Sequence, residues 1–361
     1  PKYSATLKYL KMEQLHKKSD VVDSPTHLLM DGSLGGMLYI PKTIHYRRGL
    51  FGVLSEDFQC NVPIYLIENR TDIFPFFIDL DFVLSDEISY WNAAQRQLIC
   101  HMVVKCILKF YPEHKTITAI VCTLKPPSSV ESTTTTTTTD AMHDSDDEMF
   151  SNPQNLDDNT KHVTTMRTHD VPGKMGNMHI HFNRLYVNAH QACTMCRCLI
   201  LYFEQYMSNL KHMKNTWTDA LDQSVYSGSG LRCVGSSKCM TCPMCRGSGC
   251  EYCFLKGKVN LNRRYYVDAC YKVTADSIQK NGRQTLKLQS NFAAALHSCT
   301  IQNWDTDLKT TQPWKIPPGS PCIDQKLVAL ADAERNAQLR RRNFKHIYNR
   351  IGKPIDFVSK N

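Results

Sequence analysis

Hydrophobic and polar positions fall into two alternating rhythms along the N-terminal part of the chain. Residues 63–68 (PIYLIE) and 74–82 (FPFFIDLDF) read as strands. Over residues 91–111, apolar side chains recur at Leu98, Ile99, Met102, Val103, Cys106, Ile107 and Phe110, the spacing of a helix face. Residues 117–124 (ITAIVCTL) and 178–187 (MHIHFNRLYV) predict two more strands, and 189–210 a second helix. The order strand, helix, strand, loop, strand, helix predicts helices packed against a sheet, in an α/β or α+β arrangement.

One segment breaks the pattern. Residues 126–161 run from a threonine tract into Ser, Asn and Asp, and cannot bury enough apolar area to offset their ordering entropy. They are expected to form a disordered loop inserted into a folded domain. Near the other end, residues 327–353 predict a helix with a heavily basic second half. No fixed-period internal repeat is present in the sequence.

The chain has 361 residues, enough for two domains or for one with insertions, and 42% of them are apolar, so a real core is expected. No apolar run approaches the ~18–20 residues of a membrane span, and the first residues lack the apolar region of a signal peptide. The chain starts without Met, which suggests a processed or excised piece. Net charge is +9, but residues 128–161 hold eight acidic side chains against one lysine, leaving +16 on the rest. Such a surplus suits a polyanion, of which nucleic acid is the commonest. Sixteen cysteines without a secretory signal point to metal ligation rather than disulfides.

Chemistry enters at Asp79 and Asp81, which lie two residues apart in an aromatic strand and therefore project from one face, with Ile78, Leu80 and Phe82 on the other. Adjacent carboxylates repel, and burial without compensation costs several kcal/mol or forces protonation. A hard divalent cation, Mg²⁺ or Mn²⁺, resolves the conflict and serves phosphate chemistry. His179 and His181 share a strand face by the same alternation. Asp222, then Arg232, then a small-residue turn ending at Lys238 form a set suited to a triphosphate. Gly230 and Gly235 have P-loop spacing, but Ser236-Ser237-Lys238 follows where Lys-Ser/Thr would stand, and no clear strand precedes, so that motif is rejected. Cys242, Cys245, Cys250 and Cys253 form C-x2-C-x4-C-x2-C, which suits tetrahedral Zn²⁺, with Cys239 a possible substitute ligand and an iron–sulfur cluster the alternative. Cys193, Cys196 and Cys198 fall on a predicted helix and are assigned to packing.

Taken in order, the D-x-D strand, the strand His179, Asp222 heading DQSVY and the stretch LRCVGSSK resemble the archaeo-eukaryotic primase (AEP) superfamily. The resemblance is to the branch found in nucleocytoplasmic large DNA viruses and herpesviruses, which includes eukaryotic primase-polymerases. DQSVY and LRCVGSSK are similar to the N-terminal domain of poxvirus primase-helicases, and residues 26–32 with 39–41 to the start of such domains. It spans roughly residues 25–270. It implies an α+β fold: an RRM-like sheet with flanking helices over 1–125 and 162–238, and a zinc module at 239–270; the residue pattern itself adds the 126–161 insertion and a basic, partly helical region at 271–361. It implies that Asp79, Asp81 and Asp222 hold two Mg²⁺ or Mn²⁺ ions, and that His179, Arg232, Lys238 and Lys174 contact the nucleotide. The family's small residue before the histidine is here Asn177, and its upstream basic residue is offset to Lys174.

The activity so implied is synthesis of short oligonucleotides on single-stranded DNA from NTPs or dNTPs. The partners implied are that template and a replicative helicase, fused downstream or separate, since the sequence has no Walker A motif; no membrane is involved. The expected location is intracellular, in the nucleus or a cytoplasmic viral replication compartment. Two other classes compete. HIHF also satisfies the His-hydrophobic-His strand of rolling-circle initiators, with Tyr202 or Tyr206 as nucleophile. A non-catalytic zinc-containing DNA-binding module is the third; neither explains the paired aspartates.

Overall fold

The computed structural model describes residues 4–18, 22, 24–88, 90–124, 176–208, 210–253, 256–305, 308 and 310–315. The 126–161 insertion, Lys174 and the helix expected over 327–353 lie outside the described residues.

In chain order the elements are α1 (Ala5–Met12), β1 (His27–Leu29), β2 (Met37–Leu38), α2 (Ile44–Gln59), β3 (Leu66–Glu68), β4 (Ile73–Leu80), α3 (Ala93–Phe110), β5 (Ile117–Thr123), β6 (Met178–Asn188) and α4 (Ala189–Tyr206). There follow α5 (Trp217–Ala220), β7 (Leu231–Arg232), β8 (Ser237–Thr241), β9 (Lys258–Arg264), β10 (Tyr266–Val273), β11 (Ile278–Lys280), α6 (Gly282–Ser290) and α7 (Phe292–Cys299). The protein is α+β. A five-stranded antiparallel sheet, β11-β10-β5-β6-β4, forms the centre, beside a four-stranded antiparallel sheet, β2-β1-β3-β7, and a β8-β9 ribbon.

Strand alternation sorts the central sheet into two faces. Ala119 and Val121 of β5 with Ile180 and Phe182 of β6 pack against α3 and α4. Ile120 and Cys122 of β5 with Val267 and Cys270 face the other way, toward Leu50 and Leu54 of α2, Leu66 of β3 and Leu296 of α7. Both helices of the first layer begin at capping boxes, Asn92 with Gln95 and Asn188 with Gln191, which satisfy the orphan amides of the first turn. Within α3 the expected stripe holds at Ile99, Val103, Cys106, Ile107 and Phe110, whereas Leu98 is 47% exposed.

Pro75 sits inside β4, which is tolerable because β4 is the last strand of the sheet and carries a bulge between Pro75 and Phe76. The sequence places a module at 239–270 and a separate region after it. In the structure β10 pairs with β5 along Tyr266–Val273, which sets the end of that stretch in the central sheet. No helix among the described residues is long and apolar enough to cross a membrane.

Candidate active site

The open edge of β4 is where the aspartates meet. Segment 220–226 runs alongside it and satisfies its backbone. The Asp222 amide donates to the Asp79 carbonyl (3.1 Å), the Asp81 amide to the Ala220 carbonyl (2.7 Å), and the Tyr226 hydroxyl to the Phe77 carbonyl. Leu80 and Leu221 form an antiparallel bridge between them. Asp222, distant in sequence, is thereby fixed beside Asp79. One carboxylate oxygen from each of Asp79, Asp81 and Asp222 lies within 4.8 Å of the other two. The Ser224 amide donates to Asp222 Oδ1 (2.8 Å), and Asn177 Nδ2 donates to Asp81 Oδ1. Asn215 holds the strand's exit, accepting from the Val83 amide and donating to the Asp81 carbonyl, each at 2.9 Å.

Electrostatics here are unbalanced. Burial, then the Asp222 charge, push the Asp79 carboxyl up to about 7, against the pull of Arg232 and Lys238. Burial and then Asp79 raise Asp81 as well. Asp79 Oδ1 is buried without a hydrogen-bond partner. Converging hard-oxygen donors with an orphaned oxygen and an elevated pKa fit a divalent cation such as Mg²⁺ or Mn²⁺.

His179 lies across from Asp79 in the β4–β6 register, with Nε2 3.3 Å from Asp79 Oδ1. Its ring is 3.5 Å, centroid to centroid, from that of Tyr265 and is only 1% exposed. Burial, then Arg232, hold its pKa well below the ordinary value, against the opposing charge of Asp81. Arg232, on β7, stacks over Tyr265 at 4.5 Å and donates from Nη1 to the Arg263 carbonyl (2.9 Å). Lys238, at the start of β8, is exposed. Arg232 and Lys238 therefore lie near enough to Asp79 to act on its charge. Tyr265 is the residue that sequence reasoning missed; nothing in NRRYY distinguishes it from its neighbour Tyr266.

The cysteine cluster closes as its spacing predicts. Cys242, Cys245, Cys250 and Cys253 converge within 4.8 Å. The Sγ–Sγ separations are 3.8 Å (Cys242–Cys250), 3.7 Å (Cys245–Cys253) and 3.8 Å (Cys250–Cys253). A tetrahedron with sulfur ~2.3 Å from a central zinc has edges of about 3.8 Å, so the donor set fits Zn²⁺. Backbone amides of Gly249, Cys250 and Gly257 point at these sulfurs at 3.1–3.3 Å. Gly257 is required: a Cβ there would meet the Gly247 carbonyl at 2.2 Å. Cys239 stays outside the four, on β8 opposite Asn260.

Tyr202 packs into the α3/α4 layer, on the opposite side of the sheet from His179 and His181, and Tyr206 is 57% exposed on the same helix. The tyrosine nucleophile of a rolling-circle initiator would have to stand beside the histidine pair, and neither does.

Residues 26–245, more than half of the chain, match the family described as the C962R protein N-terminal AEP domain. The chain belongs to this family: it is an archaeo-eukaryotic primase superfamily protein of the viral primase-helicase type. That membership supports a primase-like nucleotidyltransferase role in viral replication. Among curated proteins, none matches the chain.

Proposed function

We propose that the protein is a DNA primase or primase-polymerase that joins nucleotides on single-stranded DNA by two-metal chemistry at Asp79, Asp81 and Asp222. The observation that carries this reading is the convergence of three carboxylates within 4.8 Å, one brought from over a hundred residues away by pairing along the edge of β4. Divalent cations held there would supply charge neutralisation for the triphosphate and polarise the attacking 3′-hydroxyl.

The protein's own groups do the rest. Arg232, clamped by the Arg263 carbonyl and Tyr265, presents its remaining guanidinium donors to phosphate oxygens. Lys238, exposed and unencumbered by β-ladder geometry at its tip, adds a second cation on the same side. His179 is buried beside the carboxylates, its Nε2 3.3 Å from Asp79 Oδ1. Its Nδ1 has no hydrogen-bond partner, and a phosphate of the incoming nucleotide is its proposed contact. The four-cysteine module, which follows Lys238 along β8, is assigned Zn²⁺ and a part in seizing template and initiating nucleotide. Single-stranded DNA and NTPs or dNTPs are the substrates, and a replicative helicase is the expected partner.

The test is oligonucleotide synthesis on single-stranded template with NTPs or dNTPs and Mn²⁺ or Mg²⁺. Wild type and Tyr206→Phe should make products, and Asp79→Ala and Asp81→Ala should make none. A covalent protein–DNA adduct that disappears in Tyr206→Phe would overturn the primase reading.

A further inference from the structure

One buried cluster takes no part in the chemistry above. In the antiparallel pairing of β5 with β6, Ile120 stands opposite His181 and Cys122 opposite His179. Cys122 and His181 are thus diagonal neighbours on the sheet face turned toward α7. Helix α7 packs on β6 and ends at Cys299, which drops onto the same spot. One ligand atom from each of Cys122, His181 and Cys299 lies within 4.8 Å of the other two, and all three residues are buried.

The two sulfurs are 3.8 Å apart. That is far beyond a disulfide bond of ~2.05 Å. It equals the sulfur–sulfur edge about a tetrahedral zinc, and it repeats the separations found in the four-cysteine cluster. His181 Nε2 is buried with no hydrogen-bond partner, an omission that native interiors seldom tolerate. Two thiolates and a neutral imidazole around a divalent cation carry no net charge, the balance that a dry interior accepts. Sulfur and imidazole donors select zinc over magnesium or manganese, which separates this set chemically from the aspartates.

We propose that Cys122, His181 and Cys299 supply three ligands to a second zinc ion, on the same sheet face as His179 and Asp79. Binding takes one proton from each thiol and releases both to solvent, with no change of oxidation state. The ion ties the C-terminal end of α7 to β5 and β6. Because the His179 and His181 rings are 5.9 Å apart, it also stiffens the strand that carries the histidine beside Asp79.

Zinc per chain, measured by mass spectrometry on the full chain purified without chelator, tests this. Wild type should hold two equivalents, and Cys299→Ser and His181→Gln one each. A Cys245→Ser/Cys253→Ser double variant should keep one, and adding Cys299→Ser should remove it. Asp79→Ala should keep both, so a failed primase assay leaves this result intact. Zinc content in wild type that is unchanged in both Cys299→Ser and His181→Gln would overturn the proposal, as would loss of the second equivalent in Asp79→Ala. Wild-type protein loaded with Co²⁺ gives an independent check. Its thiolate-to-cobalt absorption should exceed that of Cys299→Ser, and equal absorption would count against the site.

Discussion

Replacing Tyr226 with Phe removes a single oxygen from the sealed edge of β4. Tyr226 is 1% exposed; its hydroxyl donates to the Phe77 carbonyl and accepts from the Cys196 thiol at 3.4 Å. The ring keeps its contacts with Phe74, Phe76 and Phe77, at centroid distances of 6.1, 6.3 and 5.1 Å, so no cavity of consequence opens. What is lost is the partner of a buried carbonyl, which costs ~1–3 kcal/mol, with a smaller contribution from the thiol. At ~1–2 °C per kcal/mol for a chain of this size, from about 2.1 cal/mol/K of unfolding entropy per residue, a loss of about 2 kcal/mol lowers Tm by ~2–4 °C. The same bond pins the segment that carries Asp222, so Mn²⁺ affinity should fall as well. Thermal unfolding by circular dichroism in metal-free buffer measures the first effect, and Mn²⁺ titration the second. An unchanged Tm would refute the claim that Tyr226 seals the edge; a lower Tm with unaltered Mn²⁺ binding would refute its link to Asp222.

Three further outcomes follow from named contacts. Gly230 has φ +69°, and a Cβ there would sit 2.6 Å from the Glu68 carbonyl, so Gly230→Ala should push β7 and Arg232 away from β3. The expected cost is ~1–3 kcal/mol with a raised KM for the nucleoside triphosphate, and wild-type melting with wild-type KM would contradict it. Burial raises the Glu68 carboxyl to about 7, although Thr300 and the Ile301 amide hydrogen-bond to it. From the ordinary carboxylate range up to pH ~7 the folded protein keeps a proton that the unfolded chain releases, so stability falls as pH rises through that window. Glu68→Gln removes this dependence, and urea unfolding at pH 5 and pH 8 should show wild type losing up to ~3 kcal/mol more than the variant; parallel losses would contradict the assignment. Cys245→Ser should release the zinc of the four-cysteine module to a chromogenic chelator and weaken binding of single-stranded DNA, whereas unchanged zinc content would rule out that ligand set.

The parts of the fold that were legible in the sequence are those whose partners are local or repeated. The apolar spacing of α3 and α4, the aromatic run of β4 and the C-x2-C pairs each declare themselves within about twenty residues, inside the reach of a single helix or turn. Elements that depend on distant partners stayed hidden. Buried Asp57 on α2 is one: it reads as a surface charge in sequence, yet it caps α1 by accepting from Ser4 Oγ (2.6 Å) and from the amides of Ala5 (2.8 Å) and Thr6 (2.9 Å). Strand β10 is another, since only its pairing with β5 reveals that the chain returns to the central sheet after the four-cysteine segment and β9. Leu98 fitted the helical stripe but faces solvent, because a seven-residue apolar set on α3 is wider than the strip that the sheet covers. At the site, alternation was enough to put Asp79 with Asp81 and His179 with His181, but not to show that Tyr265 covers the histidine. That contact joins β6 to the junction between β9 and β10, residues far apart in sequence that no single-window pattern relates.

Everything in the functional reading depends on Asp79, Asp81 and Asp222 acting as one cation-binding set beside Arg232 and Lys238. Crystals soaked with Mn²⁺ and a nucleoside triphosphate, recorded at the manganese absorption edge, test this most directly. The account predicts anomalous density enclosed by the three carboxylates, with the triphosphate extending from it toward Arg232 and Lys238. Metal and triphosphate bound together elsewhere, with the three aspartates bare, would contradict it.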